Sequence, residues 1–224
     1  MIAQPAQPDW LRLFHIACGL IRQVNSEALV IDHWTFGGAT AMMLQIDHRE
    51  SHDVDFFLHD LQLLAFLDPE KHDFNFEIPP SDYTGDGNSF LKLVFADIGQ
   101  IDFIIAQPKT IEPVTERVIE GETTLLETVP EIITKKIVYR GSAIQPRDIF
   151  DIAAASEKYA DALVAALSSY ISAVDEAIKS LELLNSEFVK NAIAELDIRE
   201  RFRPLADTAI QRTREILTRA AQLR

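Results

Sequence analysis

The two halves of this chain carry different apolar periods, and that change limits the fold more than any single motif does. Before residue 110, short apolar or alternating runs are separated by clusters of glycine, proline and aspartate, the pattern of strands joined by tight turns. From Ile149 onward the chain is rich in alanine and leucine, poor in glycine and holds a single proline, Pro204, which predicts about four helices. The expectation is an α+β chain. A mixed sheet with flanking helices occupies residues 1–127, and a C-terminal helical bundle, residues 128–224, completes the site.

Within the first half, residues 8–24 space Trp10, Leu11, Phe14, Ile16, Ile21 and Val24 as an amphipathic opening helix. Residues 28–36 are β-rich and run into Gly37-Gly38, and the helix formers of ATAMMLQI follow. That unit reads strand, glycine turn, helix, and ends at the polar run 47–52. Residues 53–58, 74–78, 90–96 and 100–106 read as strands, with turns at Pro79-Pro80 and 85–88 and a short hairpin-like connection at Asp97-Ile98-Gly99. Thr128, with Pro130 and Glu131 behind it, predicts a helix N-terminus.

A net charge of −14 opposes passive coating of a polyanion, so nucleic acid would have to be met through metal ions or a local basic patch. The tail offers such a patch: Arg199, Arg201, Arg203, Arg212, Arg214, Arg219 and Arg224 stand against only Glu200, Asp207 and Glu215. This is either a docking face for RNA or an acidic partner, or a solvated helix whose arginines lie over apolar surface. Cys18 is the only cysteine, which excludes an intrachain disulfide and a cysteine-ligated zinc and fits a reducing cytoplasm. No apolar run is long enough for a membrane span, and the opening MIAQPAQPDW lacks a signal-peptide layout, so a cytoplasmic protein is expected.

In Asp53-Val54-Asp55 two carboxylates two residues apart on a strand project from the same face. Like charges this close raise each other's pKa, and an unpaired Asp102 inside the apolar run Gln-Ile-Asp-Phe-Ile-Ile is costly as well. A shared Mg²⁺ (or Mn²⁺), which favours hard oxygen ligands and substrate phosphates, accounts for all three. Upstream, Gly37-Gly38-Ala39-Thr40 lies at a strand-to-helix junction whose backbone N–H groups suit a triphosphate. Further on, Arg147, Asp148 and Asp151 open a helix, with the two carboxylates three apart on one face. His48 and His52 read as loop residues rather than ligands beside an all-oxygen site.

Residues 34–58, WTFGGATAMMLQIDHRESHDVDFFL, resemble the opening motif of the AbiEii-type nucleotidyltransferase toxins, members of the DNA polymerase beta-like superfamily. Gly38-Ala39-Thr40 falls on the family's glycine turn, and His48-Arg49 and Ser51 precede the paired aspartates Asp53 and Asp55. IDFII around Asp102 resembles the family's third-carboxylate strand, and residues 132–153, ITKKIVYRGSAIQPRDIFDIA, resemble its distal lysine and Arg-Asp-x-x-Asp motif. Ala39 departs from the usual glycine or serine, which removes a hydroxyl contact to phosphate.

The resemblance implies a nucleotidyltransferase-type fold, with a nucleoside triphosphate as substrate and metal on Asp53, Asp55 and Asp102. It places phosphate contacts at Gly37, Gly38, Ala39, Thr40, Arg49 and Lys135 or Lys136, with Asp148 holding the lysine or assisting as a base. It also implies the toxin of a type IV toxin–antitoxin or abortive-infection pair, with an antitoxin encoded nearby and an RNA, above all tRNA, or a protein hydroxyl as acceptor. Two other readings fit the same residues. One is a non-catalytic nucleotide-binding or interaction module; the other is an enzyme that modifies a protein or a small molecule such as an aminoglycoside.

Overall fold

The computed structural model describes residues 8–223, so Arg224 of the basic tail and the opening residues 1–7 lie outside the account that follows. The chain forms two compact units. The first takes residues up to Ala41, 51–107 and 115–126; the second takes 42–50, 108–114 and 127 onward.

The first unit is built on a seven-stranded mixed sheet. Its strands are β1 (Thr35–Gly37), β2 (Val54–Leu58), β3 (Asp82–Gly85), β4 (Phe90–Phe95), β5 (Gly99–Ile105), β6 (Val114–Ile119) and β7 (Glu122–Glu127). They lie in the order β3-β4-β5-β2-β1-β7-β6. β2 runs parallel to β5 and antiparallel to β1, while β4 pairs antiparallel with both β3 and β5.

Alternation along the strands decides the two faces. Val54 and Phe56 on β2 stand beside Ile101 and Phe103 on β5 and Leu93 and Leu91 on β4, and all six are buried. The opening helix α1 (Asp9–Val24) buries Leu13, Phe14, Ala17, Leu20 and Ile21. Phe14 lies 5.1 Å from Phe36 and 5.8 Å from Phe56 between ring centroids, so the aromatic core sits under this helix. The alternate residues, Asp55 among them, necessarily project from the other face.

The sequence reading differs from this sheet in three places. Residues 74–78 alternate well but form no strand, because the segment is tied to α1 instead: Gln23 donates to the carbonyl of Asn75 and accepts from its N–H. The β-rich run 28–36 contributes only Thr35 and Phe36 to β1, since Asn25 captures the backbone of Val30 and Ile31 with its side chain. Strands β3, β6 and β7 lie outside that expectation: β3 and β6 are mostly exposed, and β7, though half of it is buried, reads Glu-Thr-Thr-Leu-Leu-Glu without apolar alternation.

The second unit holds the end of α2 (Gly38–Ile46) and the helices α4 (Val129–Arg140), α5 (Pro146–Leu167), α6 (Ile171–Leu183), α7 (Ser186–Ala194) and α8 (Ala209–Gln222); the short α3 (Leu64–Leu67) belongs to the first unit. Thr128 caps α4 by accepting from Glu131 N, and a reciprocal box between Gln145 and Asp148 opens α5. Four α-helices follow residue 145, as the composition predicts. α8 packs Thr213, Ile216, Leu217 and Ala220 inward, with the Thr213 hydroxyl donating to the carbonyl of Ile149 at 2.8 Å. Its arginines face outward, where Arg212 and Arg219 meet Glu157 and Asp161 of α5. Among the described residues no helix is long and apolar enough to cross a membrane.

Candidate active site

Strand register places the first set of candidate residues in one row. Asp55 on β2 is the direct neighbour of Asp102 on β5 and of Gly37 on β1, and Asp102 is the neighbour of Lys92 on β4. Residues opposite one another on adjacent strands project to the same side, so the order across the face is Lys92, Asp102, Asp55, Gly37. Asp53 enters β2 from the loop before it, and both Asp53 and Asp55 are half-buried.

At the end of this row the chain turns. Gly38 has φ +70°, and a Cβ built there would lie 1.7 Å from the Asp55 Oδ2 atom. Only glycine satisfies both conditions, and its bare backbone lets the carboxylate lie against the first residue of α2, where the helix end favours negative charge. Thr40 is fully buried: its hydroxyl donates to the carbonyl of Asp53 and lies 3.0 Å from the Ser51 hydroxyl, which ties the glycine turn to the strand carrying the aspartates. The Thr40 hydroxyl is therefore spent within the fold.

The remaining groups of the row are held by neighbours that sequence reasoning did not single out. Lys92 donates to Asp102 Oδ2 at 3.0 Å and to Gln100 Oε1 at 2.9 Å. Gln100 in turn gives its backbone N–H to Asp53 Oδ1 at 3.1 Å and its side-chain amide to Asp53 Oδ2 at 3.3 Å. An ammonium thus offsets the like charges of Asp55 and Asp102, a role the sequence assigned wholly to a cation from solution. The signal was present: Lys92 occupies the polar phase of the alternating run Phe-Leu-Lys-Leu-Val-Phe. Among the described residues, no three His, Cys, Asp or Glu side chains gather closely enough to hold an ion unaided. The donor set still fits a hard cation whose shell is completed by water and phosphate oxygens, the manner in which Mg²⁺ is usually bound.

The second set lies in the helical unit and is almost dry. Asp148 and Asp151, one turn apart on α5, face Lys136 and Arg140, one turn apart on α4. Lys136 donates to Asp148 at 2.9 Å and to Asp151 at 2.8 Å, and Arg140 also donates to Asp148. Arg49 grips Asp151 with two nitrogens, Nε at 2.7 Å and Nη2 at 3.1 Å, while His48 Nε2 lies 3.0 Å from the same carboxylate. Burial pushes the Asp151 carboxyl up, but Lys136, Arg49 and His48 outweigh it and hold its pKa well below the ordinary 3.8. Asp148 is shifted down in the same way, burial being outweighed by Lys136 and Arg140.

Lys135 points elsewhere. Its ammonium donates to Glu127 at 2.5 Å and lies 3.6 Å from Glu131, whose carboxylate accepts from the backbone of Lys109 and Thr110 and from the Thr110 hydroxyl. The cations expected on nucleotide phosphates, Arg49, Lys135 and Lys136, are thus all buried against carboxylates, because a charge taken out of water must be paired. The hub of the network is Asp151, which the sequence offered only as the partner of Asp148 on one helix face.

A family model described as nucleotidyl transferase AbiEii toxin, type IV toxin–antitoxin system, matches residues 20–219. The chain belongs to the AbiEii family. Among solved structures, it is similar to a protein assigned as a nucleotidyltransferase from H. pylori, at 18% identity and TM-score 0.49, over 97% of this chain and 96% of that one. JHP933 from Helicobacter pylori follows at 15% identity and TM-score 0.46, over 97% and 94%. A third, the Bradyrhizobium diazoefficiens CD-NTase CdnG solved in complex with GTP, has 14% identity and TM-score 0.38, over 95% and 85%. No curated protein matches.

AbiEii membership makes the chain a nucleotidyltransferase of the toxin class, and a type IV system pairs such a toxin with an antitoxin. The match runs through both sets of residues, since it spans the aspartate row and the α4–α5 network alike.

Proposed function

We propose that the chain transfers a nucleotidyl group from a nucleoside triphosphate to a hydroxyl on RNA, with tRNA the favoured acceptor, and that growth arrest follows in the absence of the antitoxin. The reading is carried by one observation: Asp55 and Asp102 are register neighbours on one face of the sheet, with Gly38 turned back against Asp55 at the start of a helix. Two carboxylates beside a helix N-terminus supply what nucleotidyl transfer needs, a place for hard cations and a place for phosphate.

In this reading Asp53 and Asp55 would hold Mg²⁺ (or Mn²⁺), which would supply charge neutralisation at the phosphorus. The backbone from Gly37 to Thr40 receives the phosphates, with no hydroxyl from Ala39 to help. The acceptor oxygen attacks the α-phosphorus, its bond to pyrophosphate breaks, and the acceptor proton passes to Asp102, which exchanges its contact with Lys92 for the acceptor hydroxyl. Lys92 retains Gln100 as a partner during that exchange. Lys136 spends two of its three donors on Asp148 and Asp151, which fix its place between α4 and α5. Arg49 and Lys135 act by holding the chain around them.

The test is incubation of the purified protein with each α-labelled nucleoside triphosphate, Mg²⁺ and bulk tRNA, beside the Asp53→Ala/Asp55→Ala double variant. Label on RNA with the wild type alone is the expected result. Label on protein instead would move the acceptor class, and no label on any acceptor would turn the row into a binding surface. The pairing of Asp102 with Lys92 is the observation that favours that second reading, since an acceptor hydroxyl would have to displace the ammonium to reach the carboxylate.

A further inference from the structure

The turn at 47–50 is the covalent lead-in to Asp53 and Asp55, and it carries the two residues, His48 and Arg49, that grip Asp151. Its own residues hold it only lightly: Arg49 Nη1 donates to the carbonyl of Glu50 at 3.1 Å. Asp47 sits at φ +47°, a left-handed conformation that a residue with a side chain adopts at a cost, and the turn contains no glycine or proline. Its shape is imposed from far along the chain.

The segment after α7 lies against it as a short strap, residues 197–199. Arg49 and Ile198 form an antiparallel bridge, Glu50 N donates to the carbonyl of Asp197 at 2.8 Å, and Arg199 N donates to the carbonyl of His48 at 3.1 Å. The Arg199 guanidinium then spans the turn from outside, with Nε on Asp47 Oδ1 at 2.9 Å and Nη2 on Glu50. One planar fork thereby joins the first and last residues of the turn, which a point charge on a flexible stem does less well.

We infer that Arg199 is a positioning residue for nucleotidyl transfer: it closes the 47–50 turn so that Arg49 and His48 stay seated on Asp151 and Lys136 keeps its place beside them. The inference rests on the transfer reading given above. It takes the first arginine of the basic tail out of the group available for docking a polyanion and gives it a task within the fold. Because the fork is partly exposed, with 42% of the Arg199 side chain in contact with solvent, its loss opens the turn without leaving a buried charge alone.

The experiment compares the full chain with Arg199→Ala, Arg199→Lys and the double variant Asp47→Asn/Glu50→Gln, measuring amide hydrogen exchange across residues 47–51 and transfer kinetics on the same samples. Arg199→Ala is expected to speed exchange in that segment by about tenfold and to lower kcat by about tenfold with KM for the triphosphate unchanged, as a misplaced but intact site does. Arg199→Lys is expected to recover part of both. The double variant attacks the clasp from its acidic side, so the result does not depend on Arg199→Ala folding. Unchanged exchange in the Arg199→Ala and double variants overturns the clasp, and faster exchange with kcat unaltered overturns its positioning role. A wild type that labels no acceptor overturns the transfer reading and with it the kinetic role, while exchange still decides the clasp on its own.

Discussion

The row on the sheet and the network between α4 and α5 contain the same kinds of side chain and solve opposite problems. In the row, Lys92, Asp102 and Asp55 are placed by strand register and keep contact with solvent. In the network, Asp151 is 0% exposed and receives Arg49 and Lys136 beside His48. A half-exposed carboxylate can lose its charge at little cost to folding, whereas a buried hub cannot be removed without stranding the charges around it. In the proposed reading, the same residue type is thus a reagent in one place and a structural tie in the other.

The largest effect expected from this contrast is in Asp151→Ala. It leaves Arg49 buried without its carboxylate and Lys136 with Asp148 alone, and should cost about 3–5 kcal/mol of unfolding free energy. Asp55→Ala should change stability by less than about 1 kcal/mol while abolishing metal-dependent transfer. Urea unfolding and labelled-nucleotide transfer, run side by side on both variants, check the pair. Equal stability losses would erase the distinction between the two regions.

Gly38→Ala tests the hinge of the row. Its φ of +70° and the 1.7 Å approach of Asp55 Oδ2 leave no room for a methyl group, so the helix start or the carboxylate must move. A loss of about 1–3 kcal/mol is expected, with transfer reduced far more than in a surface variant of the same stability. An active Gly38→Ala enzyme would show that Asp55 is not held where the chemistry needs it.

The pH dependence of stability should follow the network. Asp148 and Asp151 have folded-state pKa values depressed below the ordinary 3.8, so they bind fewer protons in the folded than in the unfolded chain at acid pH. Their contribution is fully present above that ordinary value and is lost as pH falls from it toward the depressed ones. Urea midpoints should therefore hold from neutral pH down to about pH 5 as far as this pair is concerned and drop steeply below about pH 4, with the drop flattened in Asp151→Asn. A drop as steep in Asp151→Asn as in the wild type would place the acid sensitivity elsewhere.

The same contrast explains what could be read from the sequence. The row was legible in part: period-2 alternation fixes which residues share a face, so Asp55 and Asp102 could be named from apolar strands, while Asp53 lies just before β2 and Lys92 went unremarked. The glycine turn was legible as a turn, though not that Gly38 must make room for Asp55. The network was half legible: helical spacing put Asp148 and Asp151 on one face, but partners 102 and 103 residues away, Arg49 and His48, carry no local signal. Segment 74–78 misled for the same reason, since its alternation fitted a strand while a side-chain amide from α1 claimed its backbone.

The smallest effect expected concerns the basic tail, where the two readings of the sequence part company. Arg212 and Arg219 on α8 face away from the buried stripe and pair with Glu157 and Asp161, and the side chain of Asp161 is 94% exposed. Exposed pairs of this kind contribute up to about 1 kcal/mol each and are weakened further by salt. Arg212→Gln/Arg219→Gln should therefore leave the urea midpoint nearly unchanged. Neutralised or not, a solvated face should also leave RNA affinity and its salt dependence unaltered, because arginines engaged by acids of the same chain release few counterions on binding. A shallower salt dependence in the double variant would instead mark α8 as the docking face, and the polyanion that a net charge of −14 repels overall would then be met at that one helix.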